Sequence, residues 1–368
     1  MSNEQTCIAF TGGGTGGHVY PGLAIIEKLR ESYSGRIVWI GSGKEVERQA
    51  VEAAGVEFRS IQTGKLRRSL SLENLVDIFR VATGVFHARK ILKELAPVLL
   101  FSKGGYVSVP PCLAAASLGI PFYTHESDLS PGLATRINAR KALHIFLGWQ
   151  ATLNTIPQSW KSRTSASGNP VRAAISKGDP AKGRAWLGFD KTLPIILVLG
   201  GSQGARQINE LIRAMLPELG TSVGIAHQTG PDNAPCKPAD KFYKGFEYLH
   251  SELPDLMAAA DLVIGRAGAG TIAECAAAGK PMILIPLTGA TRGDQVENAR
   301  LLEREGAALV FEGVEATPEA VLAAIQPLLM DGTRRSAMAA AASRVVGSNA
   351  AGLIADTLLQ HIESGTPA

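Results

Sequence analysis

The 368-residue sequence is poor in cysteine and has no long apolar run. Its four cysteines show no C-x-x-C spacing and lie in or near short apolar stretches: Cys7, Cys112, Cys236 and Cys275. We therefore expect buried, reduced thiols rather than disulfides or a metal site. No stretch approaches the ~20 apolar residues of a membrane span. Residues 1–6 are polar and lead straight into a strand pattern, which predicts no signal peptide. These absences predict a soluble intracellular protein and leave contact with a membrane surface open.

Complete signatures of the common nucleotide and metal sites are also missing. No glycine-rich turn ends in Lys-Ser/Thr as a P-loop does, and no G-x-G-x-x-G occurs in a clean frame. No H-E-x-x-H or D-x-D-like pair is present to hold a metal ion. The sequence therefore predicts no bound metal, no cofactor and no nucleic-acid partner.

The length and the charge distribution indicate two domains with different partners. A chain with 45% hydrophobic and 19% charged residues is too long for one ordinary core and suits two domains of about 150–200 residues. Up to Arg172 there are 20 Lys and Arg against 12 Asp and Glu, whereas the remainder has 17 against 21. A basic front half and an acidic back half favour different ligands for the two domains.

Short apolar runs alternate with helical patterns along the whole chain. The predicted strands cover residues 7–10, 36–40, 56–60, 98–101, 121–124, 144–147, 195–199, 223–227, 262–265, 282–285 and 307–310. The main predicted helices cover residues 22–31, 72–95, 207–219, 271–278 and 294–305. Strands without polar alternation, separated by helices, indicate parallel sheets covered on both faces. We therefore predict an α/β protein with two doubly wound, Rossmann-like domains facing a cleft.

The domain boundary is expected where the apolar periodicity stops. Residues 158–168 are polar and aperiodic, and turn signals follow at Asn169-Pro170 and Asp179-Pro180. We place the linker at about 168–180 and the domains at 1–172 and 173–348. A last helix within 349–368 is long enough to pack back across the linker.

The first glycine-rich turn is the most unusual motif of the front half. It reads Thr11-Gly12-Gly13-Gly14-Thr15-Gly16-Gly17-His18. Glycines let the backbone approach a ligand closely, and the helix start that follows favours an anion. His18 is the residue of this turn that can exchange a proton near neutral pH, although a helix-capping role is the alternative.

Three further motifs in the back half suggest a nucleotide site. Gly200-Gly201-Ser202-Gln203-Gly204-Ala205-Arg206 follows a strand and is typical of a diphosphate cradle. Glu274, in the first turn of another predicted helix, is either a capping residue or the acceptor for the two hydroxyls of a ribose. Asp294 and Gln295 begin a third helix, where they are either ordinary helix-start residues or ligands of sugar hydroxyls.

Two front-half clusters and one helix complete the candidates. Ser102-Lys103-Gly104-Gly105-Tyr106 can form a second close-approach loop. Thr124-His125-Glu126-Ser127-Asp128 follows a predicted strand and suits either acid–base chemistry or a structural polar network. The basic segment 64–68 precedes an apolar helix carrying Arg80, Arg89 and Lys90, which is either a core helix or a surface for anionic lipid headgroups.

All these loops follow strands, and ligands of open α/β sheets bind at that edge. In this order the motifs resemble a family of bacterial peptidoglycan glycosyltransferases. Its members add N-acetylglucosamine to undecaprenyl-pyrophosphoryl-muramoyl-pentapeptide, which converts lipid I into lipid II. The resemblance covers essentially the whole chain. It rests on Gly13 to His18 with Pro21-Gly22, Gly104-Gly105-Tyr106, His125-Glu126, Gly168-Asn169-Pro170-Val171-Arg172, Gly200 to Ala205, and the segment 266–298.

The resemblance implies the two-domain GT-B architecture of an inverting transferase at the cytoplasmic face of the cell membrane. It implies a front domain that faces the membrane and binds lipid I, and a back domain that binds UDP-N-acetylglucosamine. By position, the substrate-binding residues are Thr15, Gly16, Gly17, Asp128, Arg172, Ser202, Gln203, Glu274, Asp294 and Gln295. Among them, Arg172 and Ser202 contact the diphosphate, Glu274 the ribose and Gln295 the sugar hydroxyls. Asp128 and Asp294 replace the Asn and Gln of better-known members, so each puts a carboxylate toward the sugar.

The implied reaction is a single displacement by the 4-hydroxyl of the muramoyl sugar. His18 is the first candidate for the catalytic base, and His125 with Glu126 is the second. Ser202, helix amides and Arg172 would stabilise the departing UDP. The alternatives are a transferase for another lipid such as diacylglycerol, a nicotinamide-dependent oxidoreductase and a non-catalytic membrane module. The oxidoreductase needs an acid after the second strand, which residues 40–44 lack. The membrane module leaves Glu274 and Gln295 unexplained.

Overall fold

The computed structural model forms two compact units, 1–170 with 349–368 and 171–348. It describes residues 6–14, 16–64, 72–201, 204–231, 233–236, 239–289, 293–347 and 349–365, with the backbone alone for 72–78. We call these units 1 and 2. The division falls after Pro170, two residues before the predicted boundary, so Arg172 belongs to unit 2.

Unit 1 is a seven-stranded parallel sheet with the order β3-β2-β1-β4-β5-β6-β7. Its strands are β1 (Cys7–Thr11), β2 (Arg36–Gly41), β3 (Glu57–Ser60), β4 (Leu99–Ser102), β5 (Phe122–Glu126), β6 (His144–Leu147) and β7 (Thr164–Ala166). Its helices are α1 (Gly16–Leu29), α2 (Glu45–Ala53), α3 (Leu72–Leu95), α4 (Val109–Leu118), α5 (Leu133–Asn138), α6 (Gln158–Lys161) and α15 (Ala350–Ser364).

A row of aromatic side chains crosses one face of this sheet. Phe10 on β1 lies between Trp39 on β2 and Phe101 on β4, with ring centroids 6.3 and 5.3 Å away. Ile354, Ala355 and Leu358 of α15 belong to the same buried cluster, and α15 packs against α1. Since burying such side chains stabilises by about 1.5–3 kcal/mol each, the C-terminal helix is part of the core of unit 1.

Unit 2 is a six-stranded parallel sheet with the order β10-β9-β8-β11-β12-β13. Its strands are β8 (Ile195–Leu199), β9 (Gly224–Gln228), β10 (Tyr243–Phe246), β11 (Leu262–Gly265), β12 (Met282–Leu284) and β13 (Leu309–Val310). Its helices are α7 (Ala173–Ser176), α8 (Pro180–Leu187), α9 (Arg206–Leu219), α10 (Leu253–Ala259), α11 (Ala269–Ala277), α12 (Asp294–Arg304), α13 (Pro318–Met330) and α14 (Gly332–Val346). Ile208, Ile212 and Met215 of α9 belong to one buried hydrophobic cluster with residues of β8 and β11.

The predicted α/β class with two parallel sheets is confirmed, and α3, β8 and β11 have the predicted bounds. All four cysteines are free, and Cys236 is half-buried rather than buried. Among the described residues no helix is both long and apolar enough to span a bilayer.

Four local predictions are wrong. Helix α11 begins at Ala269 instead of residue 271, so Glu274 lies in its second turn and not in its first. Helix α1 begins at Gly16 instead of residue 22 and contains Pro21, so His18 lies in its first turn. Strand β5 extends to Glu126, so His125 and Glu126 are buried strand residues and do not follow the strand. The polar segment 158–168 contains α6 and the edge strand β7, whose half-buried Thr164, Ser165 and Ala166 pair with β6 through the backbone and give no apolar signal.

Candidate active site

The carboxyl edge of the unit 1 sheet gathers the predicted front-half residues. The strand order reverses between β1 and β4, which is the position where open α/β sheets bind ligands. The loop 12–14 follows β1, and Lys103, Gly104 and Gly105 follow β4. The backbone N–H of Lys103 donates to the Thr11 carbonyl (2.8 Å), which joins the two loops.

The two glycine loops lie so close together that side chains would not fit. A Cβ on Gly14 (φ +93°) would stand 2.6 Å from Cε1 of Tyr106. A Cβ on Gly105 (φ +76°) would stand 2.8 Å from the Gly13 carbonyl oxygen and 2.9 Å from Cδ2 of His18. Glycine is required here by both space and backbone conformation.

A buried carboxylate packs against the first glycine loop, residues 12–14. Glu47 on α2 is 5% exposed and accepts hydrogen bonds from the Ser42 hydroxyl (2.5 Å) and the Ser42 N–H (3.2 Å). The Trp39 indole N–H lies 3.4 Å from its Oε1, and a Cβ on Gly13 would stand 2.3 Å from that same oxygen. The carboxylate of Glu47 is thus hydrogen-bonded within the protein.

Lys103 is fully buried at this edge, with 0% of its surface exposed. Its Nζ lies 3.0 Å from Nδ1 of His125 and donates to the Ser127 hydroxyl (2.5 Å). Burial lowers the pKa of Lys103 to about 8, and the carboxylates of Glu126 and Asp128 oppose this drop. Lys103 was not among the predicted site residues.

The hydrogen bonds of His125 define its protonation. Its Nε2 lies 2.9 Å from the Gly168 carbonyl oxygen, which can only accept, so Nε2 carries the hydrogen. In a neutral ring Nδ1 is then the acceptor, and the ammonium of Lys103 donates to it. Burial and the charge of Lys103 hold the pKa of His125 well below its usual value. The ring is therefore neutral at pH 7, with both nitrogens in buried hydrogen bonds.

Glu126 closes the loop that follows β5. Its two carboxylate oxygens accept the backbone N–H groups of Asp128 (3.1 Å) and Gly132 (2.8 Å). The same loop is held at the Ser127 carbonyl by the side-chain N–H groups of Trp149 (2.8 Å) and Asn169 (3.0 Å). The Ser127–Asp128 segment is thereby fixed at the sheet edge, where the Ser127 hydroxyl accepts from the buried amine of Lys103.

His18 differs from the other acid–base candidates of unit 1. Its Nδ1 is buried and has no hydrogen-bond partner among the described residues. Burial and, secondarily, the charge of Lys103 lower the pKa of His18 to about 4, while the nearby backbone of Lys103 opposes the shift. The imidazole is neutral at pH 7, and its unpartnered nitrogen retains the capacity to accept a proton.

The carboxyl edge of unit 2 has its own reversal of strand order, between β8 and β11. Near it, Nη2 of Arg172 lies 3.1 Å from Oε1 of Glu274, and both side chains are mostly buried. Burial raises the pKa of Glu274, and Arg172 opposes the rise. The predicted diphosphate contact and the predicted ribose acceptor are therefore partners of each other.

Two side-chain amides of helix α12 hydrogen-bond to the backbone at the carboxyl edge of the unit 2 sheet. The Gln295 amide oxygen accepts the Leu287 N–H (2.9 Å), so its NH₂ group is the end with hydrogen-bonding capacity for a sugar. Asp294 is the first residue of the helix, after Gly293 in a left-handed conformation. The buried Asn298 donates to the Ala267 carbonyl (3.3 Å), which anchors the loop after β11.

Arg266 ties three elements of this edge together and was not predicted as a site residue. Its Nη1 donates to Oε1 of Gln207 on α9 (2.9 Å) and to the Ile285 carbonyl after β12 (3.0 Å). An arginine directly after a buried strand, within a small-residue turn, is the sequence signal that could have identified it.

Some of the remaining predicted site residues are described by the structure and others are not. Gly16 and Gly17 form the first turn of α1, next to His18. Thr15, Ser202 and Gln203 lie outside the described residues. Within the described part of the chain, no cluster of three or more His, Cys, Asp or Glu side chains is arranged to hold a metal ion.

Known proteins match both units. Residues 8–147 match the glycosyltransferase family 28 N-terminal domain, and residues 195–357 match the family 28 C-terminal domain. A Treponema denticola protein named UDP-N-acetylglucosamine–N-acetylmuramyl-(pentapeptide) pyrophosphoryl-undecaprenol N-acetylglucosamine transferase is 43% identical over 97% of this chain and 98% of its own. The crystal structure of Acinetobacter baumannii MurG has a TM-score of 0.71 and is 26% identical, covering 97% of this chain and 99% of that one. The calicheamicin glycosyltransferase CalG4, 16% identical, covers 99% of this chain and 100% of its own at a TM-score of 0.72, which shows the shared fold.

Two parallel Rossmann-like sheets with glycine-rich turns at their carboxyl edges, together with these structural neighbours, define a glycosyltransferase of the GT-B class. The chain belongs to glycosyltransferase family 28. The predicted family resemblance is thus confirmed, and the nicotinamide-dependent alternative is not supported.

Proposed function

We propose that the protein transfers N-acetylglucosamine from its UDP donor to the muramoyl 4-hydroxyl of undecaprenyl-linked lipid I, which gives lipid II. The supporting observation is the 43% identity, over nearly the full length of both chains, to the Treponema transferase whose name states this chemistry. The oxygen of the acceptor hydroxyl attacks the anomeric carbon while the bond from that carbon to UDP breaks. Configuration at the anomeric carbon inverts.

Unit 2 is assigned the donor. One carboxylate oxygen of Glu274 accepts a hydrogen bond from Arg172, and the other is assigned to a ribose hydroxyl. The guanidinium of Arg172 is assigned to the charge of the diphosphate. Ser202 and the amides at the start of α9 are assigned to the same diphosphate, and Gln295 and Asp294 to the sugar hydroxyls. Developing charge on UDP is stabilised by these groups as the bond breaks.

Unit 1 is assigned the acceptor, with His18 as the base that takes the hydroxyl proton. His125 and Glu126 are less suited, because both ring nitrogens of the one and both oxygens of the other already have hydrogen-bond partners. A pKa of about 4 makes His18 a weak base in the free protein. The negative charge of the acceptor's bound pyrophosphate would raise that pKa toward neutrality.

Helix α3 is assigned to an anionic membrane surface at the cytoplasmic face. Phe79 and Phe86, two helical turns apart on one face, are 68% and 78% exposed. Arg80 and Lys90 are also exposed on this helix, so apolar and basic groups occur together. Such a face suits insertion of rings at the headgroup level with cations on the anionic lipids.

The decisive experiment measures transfer of labelled N-acetylglucosamine from UDP-N-acetylglucosamine to a short-chain lipid I analogue. We expect one disaccharide product with inverted configuration, and no product with diacylglycerol as acceptor. Absence of transfer under conditions where a related enzyme works would refute the proposal. Transfer to diacylglycerol instead would replace the acceptor assignment and retain the donor.

A further inference from the structure

A buried amide links the two ends of the second glycine loop of unit 1, residues 103–105. Asn138, the last residue of α5, is 1% exposed. Its Nδ2 donates to the hydroxyl oxygens of Ser108 (2.9 Å) and Ser102 (3.3 Å). Ser102 directly precedes the loop, and Ser108 follows shortly after it. One side chain therefore holds the residues on both sides of the loop.

Each of these hydroxyl groups also contacts the backbone of the loop. The Ser102 oxygen accepts the Gly104 N–H (3.2 Å), and the Ser108 hydroxyl donates to the Gly105 carbonyl (2.8 Å). The Thr124 hydroxyl of β5 donates to the same Ser102 oxygen (3.3 Å). The peptide groups of the loop are thus held by two serines, whose own positions depend on the buried amide.

The ring of His18 packs against the second glycine loop. A Cβ on Gly105 would stand 2.9 Å from Cδ2 and 3.0 Å from Nε2 of His18. The backbone of Lys103 is also close enough to oppose the lowering of the His18 pKa. The titratable side chains of Lys103 and His125 interact with this ring electrostatically. A shift of the loop backbone would therefore displace the imidazole or expose it to water.

Filling the space at Asn138 with an amide is energetically unfavourable. Its Oδ1 is buried and has no hydrogen-bond partner among the described residues. A polar atom that is withdrawn from water without a partner destabilises the fold. An apolar side chain of similar size, such as leucine, would fill the space without this cost. The hydrogen bonds that the Asn138 N–H groups donate therefore explain the amide better than core packing does.

We propose that Asn138 is a positioning residue of the transfer site, which fixes the second glycine loop against His18 through two serine hydroxyls. This role rests on the proposed function, in which His18 takes the proton of the acceptor hydroxyl. Asn138 does not touch substrate, because its side chain is buried, and it acts through the loop that it holds. Loss of its N–H groups should leave the fold intact and the imidazole less well placed.

The first test separates positioning from fold stability in the transfer assay. Asn138→Leu removes both N–H donors together with the unpartnered oxygen, so urea denaturation should show no loss of stability. We expect kcat to fall roughly 10–100-fold, because small displacements of a reacting group are costly. KM for UDP-N-acetylglucosamine should be unchanged, since the donor is assigned to unit 2. Exposed Asn154→Leu is the matched control and should retain wild-type kcat. A wild-type kcat in Asn138→Leu would overturn the role.

The variant Ser108→Ala tests the path from the amide to the loop. It removes the donor to the Gly105 carbonyl and should also lower kcat. Because Asn138 is proposed to act on this carbonyl through Ser108, the combined variant should lose less than the product of the two single losses. Losses that simply multiply would overturn the shared path. Should Asn138→Leu fail to fold, Ser108→Ala alone decides, and a wild-type kcat in that variant would refute the proposal.

The second test needs no turnover and follows the ring of His18. In ¹⁵N-histidine spectra of the full chain, the His18 resonances are those that disappear in His18→Ala. The pKa of His18 is about 4, mainly because the ring is buried. Asn138→Leu should shift these resonances and raise that pKa, since a displaced loop admits water to the ring. Asn154→Leu should leave them unchanged. A fall in kcat of Asn138→Leu with unchanged His18 resonances would overturn the role.

Together the two tests distinguish failure of this role from failure of the proposed function. An inactive wild type whose His18 resonances respond to Asn138→Leu would refute the proposed function alone. An active wild type in which neither kcat nor the His18 resonances respond to Asn138→Leu would refute the role of Asn138 alone.

Discussion

The carboxyl edges of the two sheets are built differently although their topology is alike. In unit 1, Lys103, His125 and Glu126 have their hydrogen bonds within the protein, and the buried Nδ1 of His18 has none among the described residues. In unit 2, Glu274 and Gln295 each have one polar atom bonded within the protein and further hydrogen-bonding capacity. The comparison suggests that unit 1 is organised in advance around one reactive group, whereas unit 2 offers several groups that a nucleotide sugar would complete.

The largest expected effect is therefore at His18. His18→Ala removes an acid–base group at the carboxyl edge of unit 1 whose buried Nδ1 has no hydrogen-bond partner among the described residues, and we expect kcat to fall by about 10²–10⁴-fold. Binding of UDP-N-acetylglucosamine should be unchanged, because the donor is assigned to unit 2. Steady-state kinetics together with calorimetric titration of the donor would separate the two quantities. Exposed His250→Ala is the control and should behave as wild type.

The variant His125→Ala tests whether His125 has a structural role that His18 lacks. Its removal leaves the ammonium of Lys103 and the Gly168 carbonyl without their partner, which should lower the free energy of unfolding by roughly 1–3 kcal/mol for each group. Urea denaturation should therefore show a larger stability loss for His125→Ala than for His18→Ala. The reverse order would mean that His18, and not His125, is the histidine that stabilises the fold.

Glu274→Gln is expected to have the next largest effect, on donor binding. The neutral amide loses charge-assisted hydrogen bonds to a ribose and leaves Arg172 without its partner. We expect kcat/KM for UDP-N-acetylglucosamine to fall about 10–100-fold, mainly through KM. Glu305→Gln, an exposed acid directly after α12, is the matched control. A normal KM with a reduced kcat would move Glu274 from the donor site to the chemical step.

Much of the fold follows from local sequence, because buried parallel strands are apolar runs and glycine turns mark their ends. Hence β8 and β11 have their predicted bounds, and His18 was identified as an acid–base candidate from its turn. Edge strand β7 could not be predicted in this way, since a strand held by backbone pairing on one side needs no apolar side chains. The predicted strand ends at residue 124 because polar residues usually end a strand, whereas β5 continues to Glu126 because His125 and Glu126 have hydrogen-bond partners outside the strand.

The residues that sequence reasoning missed depend on contacts far apart in the chain. The sequence places Lys103 in a close-approach loop, and nothing local indicates that its amine contacts a histidine 22 residues away. Glu47 has the position of an ordinary helix-start acid, and its burial depends on the space left by Gly13 and Gly41. Such pairings require the tertiary structure, so a sequence can identify the elements around a site more readily than its internal hydrogen bonds.

A smaller effect is expected at the exposed face of α3. The variant Phe79→Ser/Phe86→Ser should weaken binding to vesicles of anionic lipid about tenfold, as each ring contributes up to about 1.5–3 kcal/mol when fully buried. Sedimentation with vesicles would measure the change, and binding should also fall as salt increases. The exposed Val314 and Met330 of unit 2 provide the control, since Val314→Ser/Met330→Ser should bind as wild type. Equal losses in both double variants would show that membrane contact does not distinguish the units.

The smallest expected effect concerns Glu47, which supports the first glycine loop without being assigned to substrate. In Glu47→Gln the amide NH₂ would replace an oxygen that accepts from Ser42 or Trp39, so one buried donor loses its acceptor. We expect the free energy of unfolding to fall by about 1–3 kcal/mol and kcat to fall only a fewfold. Glu52→Gln, an exposed acid on the same helix, should change neither. If Glu47→Gln lowered kcat as much as His18→Ala at unchanged stability, Glu47 would be part of the chemistry, and unit 1 would have two reactive groups at its edge.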